Sequence, residues 1–154
     1  MEADAVKVSA ALQGVSRLFL DTAPVIYLVE KNPAYFDVVK DIFTAIDNGQ
    51  LAAMTSPVTL AECLVHPMRL NLPPVQQSFI DVVMSGSNTT FVNLDQAVGQ
   101  QAARLRADYN VRLPDALQLA AAINNGCDAF LTNDALLKRV TGIQILVMDE
   151  LEAN

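Results

Sequence analysis

The sequence predicts an α/β fold in which helices cover both faces of a parallel β-sheet. Short apolar segments typical of buried strands alternate with longer segments whose apolar residues recur at helical spacing. This alternation continues through almost the whole chain, as in a doubly wound sheet. The composition, with 52% hydrophobic and 18% charged residues in a chain of 154, indicates one core-rich domain.

Five strands are predicted from short apolar runs bounded by turn or helix-start signals. The first run ends on Asp21, and Pro24 follows it at the opening of a helical pattern. A buried parallel strand that leads directly into a helix has this pattern. The predicted strands cover about 17–21, 51–55, 89–92, 129–132 and 143–147.

Helices are predicted between these strands from apolar spacing and from start and stop signals. Ser56-Pro57 starts one helix, because Pro is tolerated in a first turn, and Asn48-Gly49 stops another. Asp95 is a predicted helix cap, and one helix is expected to end around His66-Pro67. The predicted helices cover about 25–29, 36–46, 57–66, 75–84, 95–108, 116–124 and 134–140.

The predicted domain spans 17–150, with an extension before it and a short tail, 151–154, after it. The extension, 1–16, mixes apolar and polar residues. It is expected to be either a short helix packed on the body or a mobile segment, and the sequence does not choose between them.

Composition also limits the functional classes. There is no secretory signal, and the longest uncharged run, 82–94, is too short and polar to span a membrane, so a soluble, cytoplasmic protein is expected. Cys63 and Cys127 lack metal-ligand spacing, which fits free thiols in a reducing compartment. The net charge of −7 weighs against a broad nucleic-acid-binding surface, although a metal-bridged site can still bind phosphate.

Four carboxylates stand where predicted strands end or helices begin. Asp21 and Asp134 follow parallel strands whose carboxyl ends share one edge of the sheet. Glu62 lies on a helix leaving that edge, and Asp115 opens the helix before strand four. Each alone could be a helix cap, a partner of Thr59 in a capping box, or an acid near a helix N-terminus. Together they would repel one another, and a hard divalent cation such as Mg²⁺ or Mn²⁺ would compensate.

Short motifs surround these acids. They are Leu20-Asp21-Thr22, Thr59-Leu60-Ala61-Glu62, Leu113-Pro114-Asp115-Ala116 and Phe130-Leu131-Thr132-Asn133-Asp134. The ordered set, over about 17–150, resembles the acidic motifs of PIN-domain ribonucleases, especially the VapC-type toxins of bacterial toxin–antitoxin pairs. The resemblance implies a three-layer α/β/α fold with a five-stranded parallel sheet in order 3-2-1-4-5. It also implies an endoribonuclease that uses Mg²⁺ or Mn²⁺ to hydrolyse RNA, with a cognate antitoxin and a homodimer as its assemblies.

The resemblance assigns roles to individual residues. The acids that would bind metal and carry catalysis are Asp21, Glu62, Asp115 and Asp134. Thr22 and Thr132 would orient them. The chain departs from the family at Ala23, where many members have Asn or Ser, and in the length of its extension.

Three arginines close in sequence to the third acid are candidates to hold substrate phosphate, because a guanidinium group fits phosphate oxygens. They are Arg104, Arg106 and Arg112. The alternative is that they form a solvated helix face.

Other functional classes fit less well. An aspartyl phosphatase would usually have a second acid where this chain has Ala23, and a receiver domain would need an acidic pair on strand one. A PIN-fold binding or regulatory module, which binds metal or RNA without efficient cleavage, stays open as the alternative. His66, the only histidine, precedes Pro67 at a predicted helix end and is interpreted as structural.

Overall fold

The computed structural model describes residues 4–154, and its centre is a five-stranded parallel sheet. In chain order the strands are β1 (Val6–Lys7), β2 (Arg17–Leu20), β3 (Ala52–Thr55), β4 (Thr89–Phe91), β5 (Ala129–Thr132), β6 (Gln144–Val147) and β7 (Leu151–Glu152). The central sheet has the spatial order β4-β3-β2-β5-β6, with every neighbouring pair parallel. Counted within this sheet, that is the expected order 3-2-1-4-5, which is therefore confirmed.

Helices connect the strands of the sheet. They are α1 (Val8–Ala11), α2 (Thr22–Val29), α3 (Phe36–Asp47), α4 (Pro57–Arg69), α5 (Pro73–Ser85), α6 (Gln96–Tyr109) and α7 (Leu113–Asn124), with 3₁₀ helices at Ala135–Arg139 and Met148–Glu150. Within the part of the chain that the structure describes, none of them is long and apolar enough to cross a membrane.

Two apolar clusters fill the two faces of the sheet. Successive residues of a strand point to opposite faces, so Leu18 and Leu20 enter the cluster formed with α1 to α5, whereas Phe19 enters the one formed with α6 and α7. The rings of Phe19 and Phe130 stack with their centroids 5.5 Å apart. Because β2 and β5 are paired at the centre of this three-layer structure, their carboxyl ends open side by side at one edge of the sheet.

The ends of the described chain form a second, small sheet. β1 and β7 pair in parallel, with Val6 opposite Leu151, and Val8 is buried in the core just after β1. Residues 4–16 are therefore packed on the body, while residues 1–3 of the extension lie outside the described residues. This pairing was not predictable from the sequence, because two-residue strands have no recognisable hydrophobic period.

One sequence-based boundary was wrong, and one predicted helix is of a different type. Helix α4 does not end at His66-Pro67 but continues to Arg69, and Pro67 is buried within it. The backbone N–H of Leu70 donates to the carbonyl of His66, so the last turn closes beyond the proline. The segment predicted as a helix at 134–140 is a 3₁₀ helix, Ala135–Arg139.

Candidate active site

Asp21 is a buried carboxylate at the carboxyl end of β2, and it is 8% exposed. Its backbone precedes the first turn of α2, but its carboxylate accepts no capping hydrogen bond from that helix. Instead, Thr132 Oγ1 at the end of β5 donates to Asp21 Oδ2 at 2.8 Å. The same hydroxyl accepts from the backbone N–H of Asp134 at 3.1 Å. Helix capping therefore does not explain Asp21, and Thr132 links the first acid to the fourth.

Glu62 is placed by the start of α4. Ser56 Oγ accepts from the backbone N–H of Val58 at 3.1 Å, and Ser56 and Thr59 together form the capping box. The capping box considered for Thr59 and Glu62 does not form, because the helix begins one turn earlier. Glu62 instead accepts a hydrogen bond from Thr22 Oγ1 at 2.8 Å, and this bond joins α4 to the first turn of α2.

The other two acids stand at helix starts. Asp115 is half-buried in the first turn of α7, where a negative charge also complements the helix dipole. Asp134 Oδ1 accepts from the backbone N–H of Leu136 at 3.0 Å and so caps the 3₁₀ helix. For these two acids, a local structural role is present together with their position at the edge of the sheet.

The Asp21 carboxylate is a buried charge that polar interactions with Thr132 and with the backbone of Thr22 compensate only in part. Burial raises its pKa from the ordinary value of 3.8 to about 6, and the hydrogen bond from Thr132 opposes this rise. The negative charges on Asp115 and Glu62 raise the pKa of Asp21 further. Three of the four acids therefore act on one another across the edge of the sheet.

Asp115 is coupled to the same set. Burial raises its pKa, the Arg112 guanidinium lowers it, and the charges on Glu62 and Asp134 raise it again. Asp134 thereby joins the electrostatic cluster through Asp115. The structure therefore places all four acids predicted from the sequence at the same edge of the sheet, near enough for their charges to interact.

The donor chemistry of this cluster fits a hard divalent cation. The side chains offer only carboxylate oxygens, and their mutual repulsion would be relieved by a positive charge. Within residues 4–154, no group of three or more His, Cys, Asp or Glu side chains is arranged to hold a metal ion by itself. Mg²⁺ typically binds one or two carboxylates and keeps several waters, and that mode of binding does not need a tighter cluster.

The three candidate arginines do not share one environment. Arg104 is exposed and lies 3.8 Å from Asp108 on the same helix, and Arg106 Nη1 donates to the Val111 carbonyl at 2.7 Å. Arg112 is also exposed, and its charge acts on Asp115. Of the three arginines, the structure connects only Arg112 with the acids.

A hydrogen-bonded pair fixes the loop before Asp134. Asn133 Nδ2 donates to the Tyr27 hydroxyl at 2.9 Å, and Asn133 Oδ1 accepts from the backbone N–H of Asp149 at 2.9 Å. The ring of Tyr27 stacks in turn on that of Tyr35, with centroids 4.2 Å apart. The loop that carries Asp134 is thus tied to both α2 and the segment after β6.

One buried polar residue near the acids, Gln118 of α7, was not among the residues predicted from the sequence. It is fully buried, donates from Nε2 to Thr59 Oγ1 at 2.6 Å and accepts from Ser56 Oγ. Its signal in the sequence was a single amide within the apolar run of α7, three residues after Asp115.

Comparison with known proteins identifies the family of the chain. The family model of the PIN domain matches residues 18–143. No curated protein matches the sequence closely enough to count as a relative.

Several solved structures share the fold. VapBC2 from Rickettsia felis, bound to a DNA fragment from its promoter, is 18% identical with a TM-score of 0.67, over 85% of this chain and 98% of that one. A toxin–antitoxin complex from Klebsiella pneumoniae is 22% identical with a TM-score of 0.65, over 88% and 100%. Mycobacterium tuberculosis VapC20, described as a toxin that cleaves the sarcin–ricin loop, is 16% identical with a TM-score of 0.61, over 73% and 86%.

These identities are low, so the solved structures establish similarity of fold, while the family assignment rests on the PIN-domain match over most of the chain. The expectation drawn from the four acidic motifs is confirmed at this level. The chain belongs to the PIN-domain family.

Proposed function

We propose that this chain is an endoribonuclease that depends on Mg²⁺ or Mn²⁺ and acts as the VapC-type toxin of a toxin–antitoxin pair. The observation that carries the proposal is the electrostatic coupling of Asp21, Glu62, Asp115 and Asp134 at one edge of the sheet. The raised pKa values of Asp21 and Asp115 support a functional site at this edge, because strongly perturbed ionisable groups cluster at functional sites. PIN-domain membership supports a nuclease, and the solved toxin–antitoxin complexes with the same fold support the toxin.

In this proposal the four acids would hold the cation, Asp21 and Asp115 as ligands and Glu62 and Asp134 either as ligands or through water. When bound there, Mg²⁺ or Mn²⁺ would supply Lewis-acid chemistry, that is, a more acidic water and stabilisation of negative charge on the phosphoryl oxygens. Thr132 keeps the Asp21 carboxylate oriented, and Thr22 does the same for Glu62, through the two hydrogen bonds of 2.8 Å. Fixed side chains of this kind reduce the reorganisation needed during reaction.

The substrate in this proposal is RNA, and the chain binds it locally at the site. The net charge of −7 leaves little general attraction for a polyanion. Arg112 is the best-placed cation for the phosphate, since its charge already acts on Asp115. Arg104 and Arg106 make other contacts, so we assign them no part in phosphate binding.

The assemblies that we propose are a homodimer and a complex with a cognate antitoxin protein in the cytoplasm. The antitoxin follows from the toxin–antitoxin complexes that share this fold. A mean hydropathy of +0.29 and exposed apolar side chains such as Met68 and Leu70 on the α4–α5 side support association.

The proposal is tested by incubating purified protein with single-stranded RNA and with a stem–loop RNA in Mn²⁺, in Mg²⁺ and in chelator. We expect internal cleavage that stops on chelation and that Asp21→Asn abolishes. Asp95→Asn is the matched control, because Asp95 is an exposed cap of α6 and Asn caps helices equally well. Cleavage by Asp21→Asn at the parent rate would show that the site is wrongly placed. Metal binding without cleavage would instead identify the binding-module alternative.

A further inference from the structure

A buried polar network joins the three elements that carry Asp21, Glu62 and Asp115. Gln118 Nε2 of α7 donates to Thr59 Oγ1 of α4 at 2.6 Å. The Thr59 hydroxyl in turn donates to the carbonyl of Leu20, at the end of β2, at 3.3 Å. A continuous chain of hydrogen bonds therefore runs from α7 through α4 to β2.

Each member of this network lies close in sequence to one of the acids. Leu20 directly precedes Asp21, Thr59 lies three residues before Glu62, and Gln118 lies three residues after Asp115. Residues three apart in a helix lie on the same side of it. The hydrogen bonds between these members therefore set how close the acid-bearing elements come to one another.

The hydrogen bonds of the network lie in the core beneath the acids, where they can hold the acid-bearing elements together against the repulsion between the carboxylates. Thr59 and Gln118 are fully buried, as is Ser56, whose hydroxyl donates to Gln118 Oε1. Buried polar groups whose hydrogen bonds are all satisfied fix one arrangement of the elements that carry them. Apolar contacts are not directional and fix that arrangement less strictly. The neighbours of Gln118 on α7 are buried apolar residues, and an apolar side chain at this position would also pack in the core. Helix packing alone therefore does not explain the amide.

We propose that Thr59 and Gln118 are positioning residues, which set the spacing of Asp21, Glu62 and Asp115 for metal binding through the link from α7 to the Leu20 carbonyl. This inference rests on the proposed function, because the three acids have to bind a cation for their spacing to matter. The two residues act through the acids and touch neither the metal nor the RNA.

The test compares Mn²⁺ affinity, measured by calorimetry without RNA, with RNA cleavage by the same samples. Thr59→Val removes the hydroxyl but keeps the branched shape, and Gln118→Met removes the amide but keeps the length. We expect each to weaken Mn²⁺ binding roughly tenfold or more, the usual effect of losing a residue that orients metal ligands. Thr59→Ser keeps the hydroxyl and should bind Mn²⁺ with the affinity of the parent.

Val98→Ala is the matched control for general loss of stability, because Val98 of α6 is buried in an apolar cluster and takes part in none of the hydrogen bonds of the network. It should melt at a lower temperature than the parent but bind Mn²⁺ with the same affinity.

The positioning role would be overturned if folded Thr59→Val or Gln118→Met bound Mn²⁺ as tightly as the parent. It would also be overturned if Val98→Ala lost as much Mn²⁺ affinity as these variants do. If one of the two variants does not fold, the other decides. If the parent cuts RNA and the variants bind Mn²⁺ as tightly as the parent does, only the positioning role is refuted. If the parent itself binds no Mn²⁺, the proposed function is refuted as well.

Discussion

Asp21→Asn is expected to stabilise the metal-free protein at pH 8, because it removes a buried charge. Burial raises the pKa of Asp21 from 3.8 to about 6, and at about 1.4 kcal/mol per pH unit the charge costs about 3 kcal/mol of folding free energy above pH 6. The Asn side chain still accepts from Thr132 but forms a weaker hydrogen bond, a loss of about 1 kcal/mol. The net gain of about 1–2 kcal/mol corresponds to a melting temperature higher by about 2–8 °C.

The same reasoning predicts how the difference depends on pH. Because the folded state holds the Asp21 proton more tightly than the unfolded state, the parent gains stability as the pH falls from about 6 towards 3.8. The variant has no ionisable group at position 21. All other ionisable groups are present in both proteins, so the difference in their stability reports mainly on Asp21. The advantage of the variant should therefore shrink by about 2 kcal/mol between pH 8 and pH 4.5, so that it disappears at the lower pH.

The assay is thermal unfolding in chelator at both pH values, with parent, Asp21→Asn and the Asp95→Asn control. The control should follow the parent at each pH, since Asp95 is exposed and Asn preserves its cap. A lower melting temperature for Asp21→Asn at pH 8, or a difference that does not change with pH, would refute the reasoning about the buried charge.

Three further predictions concern the rest of the site and the assembly. In chelator, Asp115→Asn should melt above the parent, because burial and the charges on Glu62 and Asp134 raise the pKa of Asp115. Its melting temperature should then rise much less with Mn²⁺, and a lower metal-free melting point with a full Mn²⁺ shift would remove it from the site. Arg112→Ala should raise KM for RNA about tenfold, the equivalent of one charge-assisted hydrogen bond, and an equal effect of Arg104→Ala would contradict the assignment. Light scattering should show a dimer, so a stable 16.6 kDa species at micromolar concentration would reject the homodimer.

The parts of this structure that were predictable from sequence are those with a strong local signal. The apolar run of β2, its abrupt end at Asp21 and the parallel alternation were enough to place Asp21 and Asp134 at one edge, because parallel strands share the direction of their ends. The start of α4 was predictable for a similar reason, since Ser56-Pro57 has both a cap and a first-turn proline.

The parts that could not be predicted depend on tertiary contacts. The partner of Arg106 is the Val111 carbonyl, which the bend between α6 and α7 brings near, and sequence spacing gives no sign of this contact. In the sequence, Gln118 is likewise only a polar residue within an apolar helix, and its hydrogen bond to Thr59 becomes evident only in the folded structure. The pairing of Val6 with Leu151 joins the two ends of the described chain and has no local signature at all.

The most direct test of the central claim, that the four acids form one metal site, is a crystal structure grown in Mn²⁺ and measured at a wavelength where manganese scatters anomalously. We predict an anomalous peak at the carboxyl edge of the sheet, with Asp21 and Asp115 as direct ligands. An anomalous peak bound elsewhere, or an empty edge at Mn²⁺ concentrations that support RNA cleavage, would contradict the account.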